Sequence, residues 1–293
     1  MPYGYEEYRL SKGISPKTTY VEVRVIRELL AFVSYKYKRH LEPREIKPID
    51  IREFLLQQKQ QNKLKDATIN RKIITIRNWF DYLWNINKIE IDFMPKFKMP
   101  EKLDKSKAKI EVNYDFFLSK KSEVLQSSKV QLYAKALLLF YLKGVRVRDI
   151  VKVSLDQIQD HQDHLIVKIP KKNGYIQQVQ FEEDEMGIIL ECMERAIFRG
   201  TPYLLSSKVN SEYIPLQLGS FKDYLYSLKE FLGVPIRSEQ IRLAYVHYLY
   251  TKKMLKIEDL QAVLGGSLPS VSSTLKEALE RVEDIEYNKQ QVN

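Results

Sequence analysis

The sequence predicts a mainly α protein with a small β component, arranged as two domains joined by a basic linker. Apolar side chains recur at helical spacing through the first hundred residues, and a lysine-rich segment without periodicity follows. The second half contains one pair of alternating, strand-like runs. With 293 residues, the chain has the length of about two average domains. We therefore expect domains at 1–95 and 110–293, with the linker at 96–109.

Helices dominate the first domain. A helix at residues 18–37 carries an apolar stripe and is entered through a Ser-Pro pair. Asp50 can cap a shorter helix at 51–60. The clearest helix begins after Asp66, and its apolar stripe runs beside a basic one. That basic stripe contains Arg71, Lys72 and Arg77.

The linker is predicted from its composition. Residues 95–109 hold two prolines and six lysines against two acidic residues, and they show no apolar period. A basic strap between two domains can lie beside phosphates at little cost. Lys105 and Lys107 are therefore candidate contacts to a nucleic acid, and the alternative is an ordinary solvated linker.

The second domain is expected to combine helices with one β-hairpin. Alternating runs at 164–169 and 175–181 flank a Pro-Lys-Lys-Asn-Gly turn, in which Asn-Gly favours a hairpin. Gly144 stands where a helix should stop. We expect the last, acidic helix to dock either on its own domain or on a second copy of the chain. Apolar periodicity places helices at about 116–124, 130–142, 183–198, 219–232, 238–254, 257–264 and 270–286.

Composition narrows the classes of function. The formal net charge is +10, from 48 Lys and Arg against 38 Asp and Glu, which favours a polyanionic partner such as DNA or RNA. Cys192 is the only cysteine, which excludes an intrachain disulfide and a cysteine-based zinc site. His161 and His164 are typical of a surface turn, and no apolar run reaches membrane-spanning length. We expect a cytoplasmic protein that needs no cofactor or metal.

Short motifs occur along the chain in an informative order. ATINR at 67–71 and IRNWFDYL at 76–83 lie in the first domain. GVRVRDI at 144–150, then the lysine-bearing hairpin, EQIR at 239–242 and LGG at 264–266 follow in the second. In this order and spacing the chain resembles the tyrosine recombinase, or phage integrase, family. The resemblance covers nearly the whole chain and implies a helical, SAM-like core-binding domain followed by a recombinase-like catalytic-type domain.

The resemblance assigns roles to retained cations. By position, Arg146 and Arg242 are similar to the family's two arginines, which fork onto the phosphate oxygens of the transition state. Lys171 or Lys172 matches the family's lysine, which protonates the leaving oxygen. Each cation also has a structural alternative. The first arginine could pair with Asp149, the second with the glutamate three residues before it, and the hairpin lysines could be solvated.

Three positions depart from the family pattern. Glu239 stands where the family has histidine, and its negative charge would repel a phosphate. Gly266 replaces a histidine or tryptophan and has no side chain to donate a hydrogen bond. The window for the attacking tyrosine contains Glu277, and residues 251–286 contain no tyrosine. Tyr287 lies roughly two or three helical turns too far along.

We therefore expect a sequence-specific binder of double-stranded DNA that keeps a recombinase scaffold without its chemistry and acts as a transcriptional repressor. The degenerate site and the Lys-, Ile- and Asn-rich composition suggest similarity to the integrase-like lysogeny repressors of SPβ-type Bacillus phages. The alternative is an active site-specific recombinase in which Tyr287 attacks, including in trans on a neighbouring protomer. The candidate DNA contacts are Arg71, Lys72, Arg77, Lys105, Lys107, Arg146, Lys171, Lys172 and Arg242.

Overall fold

Two separate apolar cores organise the chain in the computed structural model, one in the unit Met1–Ser106 and one in Lys107–Asn293. The structure describes residues 2–101, 103, 109–110, 112–171, 174–217 and 219–290, without the side chains of Pro2 and residues 282–290. Across these residues, no helix combines the length and the apolar character that a bilayer span requires. Each unit is described by itself.

The first unit is helical, with α1 (Tyr5–Ser11), α2 (Pro16–Tyr37), α3 (Pro48–Gln60) and α4 (Asp66–Asn85). Ser15 caps α2 by accepting a hydrogen bond from the Thr18 amide at 3.2 Å. Pro16 fills the first helical position, where no amide donor is needed. The apolar stripes of α2, α3 and α4 meet in a core that contains Ile26, Leu29, Phe54, Ile69, Ile76 and Trp79.

Asp50 corrects one prediction, because it lies at the third position of α3 and not at its N-cap, which is Lys47. The helix begins earlier, at Pro48, since proline suits a first helical turn. The Asp50 side chain is fully buried and accepts hydrogen bonds from Lys36 Nζ at 2.6 Å, Tyr37 Oη at 2.8 Å and the Lys47 amide at 2.9 Å. It therefore ties α2 to the start of α3.

The helices of the second unit are α5 (Tyr114–Gln126), α6 (Leu132–Leu142), α7 (Val147–Ile150), α8 (Glu183–Phe198), α9 (Phe221–Leu232), α10 (Ser238–Thr251), α11 (Ile257–Leu264) and α12 (Leu268–Gln290). α6 is the central helix: every residue except Lys135 is buried, and it packs against α5, α8, α9 and α10. α12 packs against α10 and α11 and buries Val271, Leu275 and Ala278. The final helix thus docks on its own unit at least as far as Arg281, which is also buried.

Strands in the second unit are β1 (Ile158–Asp160), β2 (His164–Pro170), β3 (Ile176–Glu182), β4 (Ser206–Val209) and β5 (Glu212–Pro215). The first three form an antiparallel sheet in sequence order, and the last two form a separate pair. Alternate side chains of β2 and β3 point into the core, so Val167 pairs with Val179 on the buried face. The Lys171 amide donates to the Tyr175 carbonyl at 2.7 Å and closes the predicted hairpin.

Candidate phosphate-binding site

Three of the predicted cations line one cavity of about 420 Å³ in the second unit. Arg146 precedes α7, Lys171 follows β2, and Arg242 lies in the second turn of α10. Residues that are distant in sequence are therefore brought together by the packing of α6, the hairpin and α10. We call this cavity the cationic cavity. Its other lining residues include Gly144, Arg148, Asp149, Lys152, Gln177, Gly265, Gly266, Ser267 and Ser270.

Gly144 positions one of these arginines. It ends α6 with a φ of +74°, a left-handed conformation that glycine adopts without steric cost. A Cβ atom at this position would lie 2.8 Å from Cδ1 of Tyr245, so a larger residue would not fit. The Gly144 carbonyl accepts a hydrogen bond from Arg242 Nε at 3.2 Å. This contact fixes the guanidinium stem at the edge of the cavity.

Lys171 is held by a carboxylate. Its Nζ lies 2.7 Å from Oδ2 of Asp149, and the side chain is only 12% exposed. The second ion-pair partner of Asp149 is Arg148, at 3.7 Å. Among the described residues the carboxylate therefore pairs with Lys171 and Arg148 instead of Arg146. The structure therefore does not show the alternative in which Arg146 forms a structural ion pair with Asp149.

Cationic side chains outnumber carboxylates among the described residues that line the cationic cavity. Burial, and after it the charge of the neighbouring Arg146, lower the pKa of Arg242 to about 10. Burial also lowers the pKa of Arg146, with a contribution from Arg148. For Lys171, burial and the two arginines together outweigh Asp149, so its pKa is lowered as well. All three charged forms are disfavoured in the folded chain, and a bound anion would relieve them.

The three positions that depart from the family pattern lie at the same place. Gly266 lines the cationic cavity itself. Glu239 and Glu277 line an adjoining cavity of about 360 Å³, which also contacts Arg146 and Arg242. Glu277 Oε1 accepts a hydrogen bond from Arg281 Nη1 at 3.0 Å. Within the described part of the chain, the residues that line these two cavities include no tyrosine and no histidine.

Several predicted residues lie outside the described side chains. Lys105, Lys107 and Lys172 are among the residues that the structure does not describe. Tyr287 belongs to α12, but its side chain is likewise outside the description. At about 1.5 Å of rise per residue, its backbone lies roughly 15 Å along the helix from Glu277.

In the first unit, part of the predicted basic stripe of α4 is exposed and part is buried. Arg71 and Arg77 are exposed. Lys72 is a correction: it is 8% exposed, and its Nζ contacts Glu28 Oε2 at 2.6 Å and Gln58 Oε1 at 2.9 Å. The side chain faces α2 and α3 because a helical step of one residue turns it toward the core. Lys72 therefore has a packing role.

Sequence reasoning missed other polar residues of potential importance. Arg24 and Arg27 are exposed on α2, which packs against α4. The helical spacing that identified the apolar stripe of α2 also places these arginines on the opposite face. In the second unit, Ser267 and Ser270 bring hydroxyl groups to the cationic cavity. Their signal was their position directly after the Leu-Gly-Gly motif.

Comparison with known proteins agrees with this architecture. Residues 4–85 match the family described as phage integrase, N-terminal SAM-like domain. The tyrosine recombinase XerC of Thermodesulfovibrio yellowstonii is 27% identical over 150 residues, which cover 51% of this chain and 47% of that protein. The match thus spans about half the length of this relative.

Solved structures extend the likeness over most of the chain. A lambda integrase dimer bound to a COC′ core site has a TM-score of 0.66 at 16% identity and covers 92% of both chains. The Tn1549 transposon integrase with a circular intermediate DNA has a TM-score of 0.67 at 14% identity, covering 93% of this chain and 92% of that one. XerH bound to difH before cleavage has a TM-score of 0.60 at 18% identity, covering 88% and 77%.

The chain therefore has the tyrosine recombinase fold, mainly α with a small β component, and the predicted fold class is confirmed. The first domain is similar to the N-terminal SAM-like domain of phage integrases, and half of the chain is similar to a tyrosine recombinase.

Proposed function

We propose that this protein binds double-stranded DNA in a sequence-dependent manner and regulates transcription without cutting the strand. The observation that carries the proposal is the cationic cavity. Arg146, Lys171 and Arg242 converge there with lowered pKa values, whereas Glu239 and a glycine occupy positions where the chemistry needs proton donors. The described lining thus offers cations to a phosphate but no tyrosine or histidine to act on it.

Binding follows from the charge balance. Two guanidinium groups can each donate paired hydrogen bonds to phosphate oxygens, and Lys171 adds a point charge. The anion would replace the negative charge that the buried cations lack. The net charge of +10 would draw the polyanion to the protein before specific contacts form.

Strand cleavage by the family's chemistry would require a tyrosine nucleophile and histidine-like proton donors, and neither residue type occurs among the described residues that line the two cavities. Attack on a phosphodiester needs a nucleophile aligned with the phosphorus atom and donors for the developing charge. Glu277 and Glu239 instead place two carboxylates beside the arginines. Carboxylates beside a dianionic transition state raise the energy of that state by charge repulsion. The same carboxylates oppose ground-state binding less, because the phosphodiester carries a single charge.

The first unit is proposed to contribute contacts of its own. Arg71, Arg77, Arg24 and Arg27 are exposed on α4 and α2. Exposed arginines on helices suit both phosphate contacts and readout of base edges in a major groove. The linker lysines Lys105 and Lys107 and the hairpin Lys172 remain candidate phosphate contacts on the sequence argument alone.

An active recombinase is the second candidate, favoured by one observation. The similar proteins are recombinases and integrases by name. In this alternative Tyr287 would attack from α12. Its distance along the helix from Glu277 argues for attack on a neighbouring protomer.

Two measurements on the full chain separate these candidates. Fragments of the genome that encodes the protein are incubated with it, and the retained fragments are sequenced and tested in a promoter-reporter assay. The same fragments, nicked so that a covalent protein–DNA intermediate cannot be resealed, are then used for trapping. We expect retained promoter fragments, repression of the reporter and no covalent adduct. An adduct that the Tyr287→Phe variant abolishes would refute the proposal, as would failure to retain any fragment.

A further inference from the structure

A second cationic cavity lies in the same unit, away from the first. Its volume is about 580 Å³, within the range of small-molecule sites. Arg195 of α8, Arg199 directly after α8 and Lys208 of β4 line it, together with three tyrosines. These are Tyr133, Tyr213 and Tyr224. We call it the tyrosine-walled cavity.

The two cavities lie at opposite ends of the central helix. Tyr133, in the first turn of α6, lines the tyrosine-walled cavity, whereas Gly144, just beyond the last turn, lines the cationic cavity. Eleven helical residues separate the ends by about 16 Å at 1.5 Å per residue. The described lining residues of the two cavities do not overlap. The second cavity is therefore a separate site.

Arg199 is the centre of this cavity. Its guanidinium carbon lies 5.1 Å from the ring centroid of Tyr213 and 5.8 Å from that of Tyr133. Nη1 donates to Tyr133 Oη at 2.9 Å and approaches Ser206 Oγ at 3.5 Å. Within the described residues, the polar partners of Arg199 are neutral. Aromatic faces and hydroxyls orient the guanidinium but leave its charge uncompensated.

The other polar groups are also suited to an anion. Among the described residues, the carboxylate partner of Arg195 is the distant Glu191, at 3.7 Å, and Lys208 is exposed. No carboxylate occurs among the lining residues that the structure describes. Ser207 Oγ is buried and has no hydrogen-bond partner among the described atoms. Burial raises the pKa of Tyr224, so its hydroxyl stays protonated and can donate.

We propose that the tyrosine-walled cavity binds a small phosphate monoester that carries a planar ring, such as a nucleoside monophosphate. Three cations and unpaired hydroxyl donors would hold the phosphate. The rings of Tyr213 and Tyr224, which are partly exposed, would stack on the ligand ring, whereas Tyr133 is buried and orients Arg199. A concave, aromatic-walled cavity suits such a ligand better than a phosphate of a duplex, whose backbone is convex and presents no ring to stack.

The test is calorimetric titration of the full chain with adenosine monophosphate, and separately with inorganic phosphate, at fixed salt. We expect saturable binding of one adenosine monophosphate that is tighter than phosphate. Lys208→Gln and Arg195→Gln change exposed residues, so they should fold normally, and each should weaken binding roughly tenfold or more. Arg199→Gln should abolish binding. Lys229→Gln, at an exposed lysine of α9 outside both cavities, is the matched control and should leave binding unchanged.

One further variant separates this inference from the proposed function. Arg242→Met removes a cation from the other cavity only, so it should weaken DNA binding and leave the nucleotide affinity unchanged. The proposal is overturned if the wild type does not bind adenosine monophosphate, or if Lys208→Gln and Arg195→Gln bind it as tightly as wild type. It is equally overturned if these two variants leave nucleotide binding intact but lower the salt dependence of duplex binding, since the cavity would then contact duplex phosphate.

Discussion

Replacing Arg242 with methionine removes a buried positive charge and keeps an unbranched side chain in its place. If Arg242 contacts a phosphate, its charge stabilises the DNA-bound state and destabilises the folded protein without DNA. If it is a structural residue, the substitution should unfold the second unit. The two interpretations predict opposite signs for the effect on stability, which makes this variant the most informative one in the cationic cavity.

The magnitude follows from the geometry. Burial lowers the pKa of Arg242 to about 10, well below its ordinary value, and a difference of that size corresponds to about 3 kcal/mol against the charged form in the folded chain. The substitution also removes the hydrogen bond from Nε to the Gly144 carbonyl, which is worth about 1–3 kcal/mol for a charged donor. The free energy of unfolding should therefore stay constant or rise by about 1–2 kcal/mol.

DNA binding should respond in the opposite direction. Loss of one charge-assisted phosphate contact corresponds to roughly a 10- to 100-fold higher Kd. The slope of log K against log salt should become shallower by about one unit. Chemical denaturation measures the first quantity, and fluorescence anisotropy with a retained fragment at several salt concentrations measures the second. Lys229→Met, at an exposed position, controls for the change in net charge.

One outcome would contradict this reasoning. If Arg242→Met loses several kcal/mol of stability, or binds DNA with unchanged affinity and salt slope, then Arg242 stabilises the fold and faces no phosphate. The electrostatic argument for the cationic cavity would then fail.

Two more predictions test other parts of the chain. Arg71→Ala should weaken DNA binding and make its salt slope shallower by about one unit without changing stability. Lys72→Ala should instead lower the melting temperature of the first unit, because it removes the buried partner of Glu28 and leaves that carboxylate with the exposed Arg24. Equal effects of the two variants on both quantities would show that the burial of Lys72 has no bearing on its role. The Glu277→Tyr variant alone should form no covalent adduct with nicked DNA. Combining it with Glu239→His and Gly266→His should produce an adduct, because the proton donors are then restored. An adduct from the single variant would mean that the missing donors are dispensable.

The apolar stripe of α4 shows what the periodicity of apolar residues can predict. Ile69, Ile76 and Leu83 recur at helical spacing over about four turns, and all are fully buried, so the pattern predicted both the helix and its core face. A different period, the two-residue alternation that places Val167 and Val179 on one face, predicted the β-hairpin together with its Asn-Gly turn. α7 and β1 have four and three residues, which is too short for a periodic pattern to be recognised in the sequence.

Lys72 marks the limit of the same argument. A stripe defined by apolar residues has two edges, and whether a cation at an edge faces water or a neighbouring helix depends on which helix packs there. Here Glu28 of α2 and Gln58 of α3 meet its ammonium group. Neither residue lies near Lys72 in sequence, so local periodicity carries no information about this contact.

The sequence alone determined the class of fold, the order of the longer helices and of the hairpin, and the chemical types at the key positions, because these depend on local spacing and on residue identity. The tertiary structure decided which charges meet. Only the packing of α6, the hairpin and α10 brings Arg146, Lys171 and Arg242 into one cavity and pairs Asp149 with Lys171. Burial and the distance between charges are properties of long-range contacts, and they set the pKa values from which the candidate site follows.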